Sequence, residues 1–177
     1  MHPYNSLVPI ITAILGFLAS FIMSYFTNKW NDSRIKTQND FELTKEKNKG
    51  KIEKGEELYV HLSKWRKAIC NYQLNLMRVA KKQLTRDQVN EMISNTKYEY
   101  NPDRMMCLLH IHYASLLPVY DKVNEVRKQA VQIGLLHDRG EITDAKCLKA
   151  VDDLFTDFNA EMDVLLKKLR EEISKYA

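Results

Sequence analysis

Cys107, His110 and His112 put the most reactive side chains into the shortest stretch of this 177-residue chain. Thiolate and imidazole are the ligands of zinc, which takes four of them in a tetrahedron. On a helix, positions 107 and 110 share a face, whereas 110 and 112 point nearly opposite ways. One segment therefore supplies at most two ligands, and either His61 or His137 would have to complete the set from elsewhere. That spacing does not ask for a metal, so one buried and one exposed histidine are expected, with no metal and no cofactor. DRGEITD, Asp138 to Asp144, has the acids and the glycine of part of a calcium loop. It lacks the oxygen spacing and the closing glutamate. There is no Glu-x-x-His pair for a di-iron bundle, no glycine-rich phosphate loop, no nucleophile elbow and no zincin motif. The chain is not expected to be an enzyme.

The residue types point instead to recognition. Tyr98 and Tyr100 flank Glu99 in NTKYEYNP, a segment expected to be a loop, and aromatic residues in loops suit interaction surfaces. Asp153 and Asp157 stand four apart on an expected helix and share a face. These four are candidates for a partner surface. The net charge of +4 is mild, whereas a nucleic-acid module usually concentrates more basic charge on one face, so no nucleic acid is expected as a partner. Three scattered cysteines, Cys70, Cys107 and Cys147, form no CxxC pair and suit a reducing compartment.

Positioning these residues falls to helices. Leu58, Leu62, Trp65, Ile69, Tyr72, Leu76 and Val79 step by four and three, a heptad seam, with Lys64, Arg66, Lys67, Asn71 and Arg78 on the other face. That helix should end near Lys81 and Lys82. Thr85 and Gln88 have the spacing of a capping box ahead of Val89, Met92 and Ile93. Asn101 caps and Pro102 opens the next helix. Pro118 should kink or break it, with Ser115 as a new cap. Gly140 suits a stop and Thr143 a start. Leu148, Val151, Phe155, Phe158, Met162, Leu165 and Leu169 form a second heptad seam. No alternating strand pattern appears, and the few glycines and prolines suit few turns. The fold expected for residues 56–177 is an all-α antiparallel helical bundle.

The amino-terminal residues follow a different rule. From Leu7 to Phe26 no residue is charged, a length that matches the roughly 20 residues of a membrane-crossing helix. No lysine or arginine precedes it, so a cleavable signal peptide is disfavoured. Lys29, Arg34, Lys36 and further lysines follow it, with Tyr25 and Trp30 at the expected inner interface. Residues 7–27 are therefore expected to be an uncleaved single-pass anchor in the cytoplasmic membrane. Residues 1–6 would then lie outside and the carboxyl-terminal bulk inside. Residues 28–55 read as a charged stalk with no face to bury. Thr12, Gly16, Ser20 and Ser24 recur every fourth residue and make one small-residue face suited to self-association.

The expected function is that of a membrane-anchored helical interaction or regulatory protein. It would touch membrane lipid, form a homo-oligomer and engage a cytoplasmic protein, in the manner of an adaptor or of a bacterial stress or phage-defence component. The alternatives are a pore-forming effector, in which the hydroxyl stripe lines a polar path, and an enzyme or metal protein with a site inside the bundle.

Overall fold

The computed structural model describes residues 7–95 and 100–177, apart from the side chains of residues 7–11, 14 and 95. Its elements are α1 (Leu7–Ala80), α2 (Arg86–Asn95), α3 (Pro102–His112), a 3-10 turn (Ala114–Leu116), α4 (Leu117–Asp138) and α5 (Asp144–Ser174). Among the described residues there is no strand. The chain divides into two compact units, Met1–Lys47 and Asn48–Ala177.

The first unit is the amino-terminal part of α1. Lysine, glutamate and glutamine favour helix, which is why the segment expected to be a stalk without a sustained apolar period is helical throughout. Its own side chains bond along the helix: the Thr37 hydroxyl donates to the Ser33 carbonyl at 2.9 Å and the Gln38 amide to Glu42 at 3.2 Å. Phe17, Phe21, Phe26, Trp30 and Phe41 are all exposed. No helix among the described residues is long and apolar enough to cross a membrane. The uncharged run Leu7–Phe26 begins in residues whose side chains lie outside the description.

The second unit is a helical bundle. α1 and α5 run antiparallel, with Trp65 edge-on to Phe158 at 5.9 Å and Arg66 reaching Asn159 and Asp163. α4 runs beside α1 in the same direction: Tyr120 lies 5.4 Å from Trp65, and Gly134 lies against Tyr72 and Leu76. α3 returns along the lower part of α1. Arg104 grips Glu57 through two bonds of 2.7 Å, and the Tyr113 hydroxyl donates to the Lys51 carbonyl at 2.6 Å. The main core gathers Leu58, Leu62, Phe158, Met162, Leu165 and Leu169; a second cluster joins Leu76, Met77, Ala80, Cys147 and Val151.

Local chemistry sets the helix ends. The Thr85 hydroxyl accepts from the Gln88 N–H at 3.2 Å while the Gln88 side chain accepts from the Thr85 N–H at 2.9 Å, a reciprocal capping box. Asn101 and Thr143 cap α3 and α5 through the Arg104 and Lys146 N–H groups. Gly140 takes φ +71° after α4, where glycine carries no Cβ penalty. At Pro118 the helix breaks, but Ser115 is not the cap. Tyr113 ends α3, its N–H bonding to Leu108 and Leu109, and the 3-10 turn leads into α4 with no side-chain cap. Pro118 then sits in the first turn of α4, where a missing N–H costs nothing.

Candidate functional site: a cavity beside the shortened helix

α3 has 11 residues and so rises about 17 Å, against about 33 Å for the 22 residues of α4. It covers α1 only from Lys51, against Tyr113, to His61, whose Nδ1 accepts from the Asn101 N–H. Beyond that point α1 and α4 face each other without a third full helix between them. A cavity of about 520 Å³ occupies this place, with Met92 and Ile93 of α2 at its edge.

α1 supplies Trp65 and Ile69 to the cavity, then Tyr72, Asn71, Asn75 and Arg78. Asn71, Asn75 and Arg78 step by four and three, so helical geometry alone puts them on one side. α4 adds Arg127 and Val131, which are i,i+4, and Tyr100 closes the lower end. No aspartate or glutamate of the described residues lines the cavity. Asn75 is buried, and its side-chain oxygen accepts from Arg78 at 3.3 Å. Arg127 donates through Nε to Asn124 at 2.8 Å. The two guanidiniums are thus held by neutral amides. Arg66, Arg86, Arg104 and Arg139, by contrast, each pair with a carboxylate. Burial pushes the Tyr72 and Tyr120 phenols above their usual value, keeping both rings neutral near the cavity.

A second polar group joins the turns at the far end of the bundle. The His137 ring nitrogen lies 2.9 Å from Asp144, whose carboxyl is held below its usual value by that bond and by Lys82. Arg86 bonds Asp138 and the Gly134 carbonyl. The acids of DRGEITD are therefore spent on ion pairs.

The other sequence-predicted residues are dispersed. Thr12, Gly16, Ser20 and Ser24 are all exposed along one side of α1; the Ser20 hydroxyl donates back to the Gly16 carbonyl, and a Cβ placed at Gly16 would meet nothing within 4 Å. Asp153 and Asp157 are exposed on α5, away from the cavity. Tyr98 lies outside the described residues, and only Tyr100 of that pair can be placed. Among the described residues no three His, Cys, Asp or Glu side chains come together as metal ligands. His110 is exposed and His112 half-buried; desolvation and Lys54 and Lys51 hold the His112 pKa below its usual value.

Sequence patterning placed Asn71 and Arg78 on the face away from the seam, and both are exposed there; it did not show that they border a cavity, and it left Arg127 unremarked. The available signal was the Asn71–Asn75–Arg78 spacing beside a heptad seam that carries Trp65 and Tyr72. What concealed the cavity was the shortness of α3, a property of another part of the chain. Family models, characterised proteins and solved structures give no match to this chain.

Proposed function

We propose that this is a single-pass, membrane-anchored helical-bundle protein that self-associates and acts by binding a cytoplasmic partner rather than by catalysis. The observation that carries the reading is the uncharged run Leu7–Phe26 with a basic flank on one side only. The exposed side chains of this helix support it. At roughly 100° per residue, Leu15, Phe17, Leu18, Phe21, Ile22 and Phe26 spread over about half of the circumference. Thr12, Gly16, Ser20 and Ser24 share an arc of about 120° on the other side, with Met23 also within it. Lipid suits the bulky side, where there is no water to exclude. The small side lets a second helix approach its backbone, the contact on which association in lipid depends. The bundle, with Tyr100 and the Asp153–Asp157 pair at its surface, then faces the cytoplasm, because basic residues stay on that side.

The test is extraction and crosslinking of the full-length protein. It should stay with membranes in alkaline carbonate and leave only in detergent. Gly16→Ile should reduce crosslinked dimer sharply, while Leu18→Ile on the bulky side leaves it unchanged. Release by carbonate would remove the anchor from the reading. Equal crosslinking of wild type and both variants would remove the self-association face and leave the anchor standing.

A further inference from the structure

We infer that the cavity between α1, α2 and α4 is a binding site for a small organic anion, one carrying a phosphate or carboxylate on an aromatic body. The inference goes beyond the membrane reading and does not depend on it.

The shape comes first. About 520 Å³ falls within the roughly 300–1,000 Å³ typical of small-molecule sites. It arises where the bundle lacks a helix, and a bundle under selection for packing alone would fill such a gap with aliphatic side chains. Here the walls divide by chemistry. Trp65 and Ile69 give an apolar floor, with Tyr100 at one end. Asn75, Arg78 and Arg127 give a polar side.

The charge is the stronger argument. Two guanidiniums line the same cavity, Arg78 exposed and Arg127 half-buried, and no carboxylate of the described residues pairs with either. Arg66, Arg86 and Arg104 of this bundle meet carboxylates, whereas Arg170 donates to the Leu166 carbonyl. Amide partners do a different job: Asn75 accepts from Arg78 and Asn124 from Arg127, which orients each fork without cancelling its charge. Oriented, uncancelled guanidinium groups fit the planar oxygens of phosphate or carboxylate. Trp65 and Tyr100 would hold a ring by stacking or edge contact.

Trp65 also makes the site observable. The chain has two tryptophans, so Trp30→Phe leaves Trp65 as the sole indole in the full-length protein. The probe is 4-nitrophenyl phosphate, whose ring quenches indole fluorescence. Its controls are neutral 4-nitrobenzyl alcohol and inorganic phosphate. Saturable quenching by the aryl phosphate is expected, with at least tenfold weaker binding of the neutral alcohol and competition by phosphate only at high concentration. Arg78→Gln and Arg127→Gln should each weaken binding about tenfold or more, whereas the lysine variants at these positions keep part of it. Arg66→Gln, outside the cavity, should bind as well as the parent. Circular dichroism checks that each variant keeps its helix content; if Arg78→Gln and Arg127→Gln unfold, the lysine variants and the neutral probe decide. Linear, unsaturable quenching would overturn the proposal. So would equal affinity for the charged and neutral probes, or arginine variants that are folded and bind like the parent.

Discussion

Gln73 is the one described residue whose side chain is fully buried with neither amide atom bonded to protein. It sits on α1 one turn before Met77, beside the second apolar cluster. An amide in that position gives up its water without a replacement, which costs about 1–3 kcal/mol. Leucine has similar size and nothing to desolvate. Gln73→Leu is therefore expected to raise the urea midpoint with an unchanged slope, a gain of about 1–2 kcal/mol drawn from that penalty. A loss of stability would mean that the amide meets a partner in solution, and the site would then count as a polar position of the core. The cysteines give the opposite case. Cys147 is buried and Cys70 half-buried, and burial pushes both thiols above their usual pKa. They behave as small apolar residues, as their scattered positions suggest, and not as nucleophiles.

Among the helices, α1 shows what a sequence reveals and what it withholds. Its caps and stops were legible because they are local: Thr85 with Gln88, Asn101 before Pro102, and Gly140 need only neighbours a few residues away. The seams were legible as periods, and Leu58, Leu62, Phe158, Met162, Leu165 and Leu169 are indeed buried. Ile69, equally in register, is only half-buried, because the cavity lies beside it. Phe158→Ala should therefore cost about 3–5 kcal/mol, the usual range for a fully enclosed ring. Ile69→Ala should cost clearly less, under about 2 kcal/mol, since little void is created next to an existing one. Equal losses in a urea titration would show that the cavity closes around Ile69 in solution. Two glycines of α1 separate in the same way. Both weaken helix propensity. A Cβ at Gly50 would meet nothing within 4 Å, so Gly50→Ala should stabilise by about 0.5–1 kcal/mol. A Cβ at Gly55 would fall 2.5 Å from the Tyr113 hydroxyl and into Ile173. Gly55→Ala should thus destabilise by about 1–3 kcal/mol, through overpacking and through loss of the Tyr113 bond to Lys51. Thermal unfolding of the pair reads both signs at once, and a shared sign would contradict this packing. Sequence could rank neither glycine, because α3 and α5 are what approach Gly55.

Along the whole chain, charge is distributed so unevenly that it makes a statement about direction. No lysine or arginine precedes Lys29, whereas Lys29, Arg34, Lys36, Lys45, Lys47, Lys49, Lys51 and Lys54 follow within the next residues. Basic residues resist transfer across a membrane, and those nearest the span dominate its orientation. The acids interleaved with them, Asp32, Asp40, Glu42, Glu46 and Glu53, count for little in this selection, since it is not a rule of net charge. A reporter fused after Ala177 should accordingly score as cytoplasmic. Lys29, Arg34 and Lys36 are exposed on α1 and belong to the amino-terminal unit, so Lys29→Gln, Arg34→Gln and Lys36→Gln should leave the bundle intact. Combined with Tyr4→Arg and Asn5→Arg ahead of the span, they invert the asymmetry next to the membrane. The reporter signal of the combined variant should shift toward the outside, while the glutamine changes alone produce a smaller shift, because the more distant lysines still hold the bundle in. A carboxyl terminus scored outside for the parent would overturn the proposed topology, and with it the cytoplasmic setting proposed for the bundle. An unchanged signal in the combined variant would show that something other than flanking charge, such as rapid folding of the bundle before insertion, fixes the orientation.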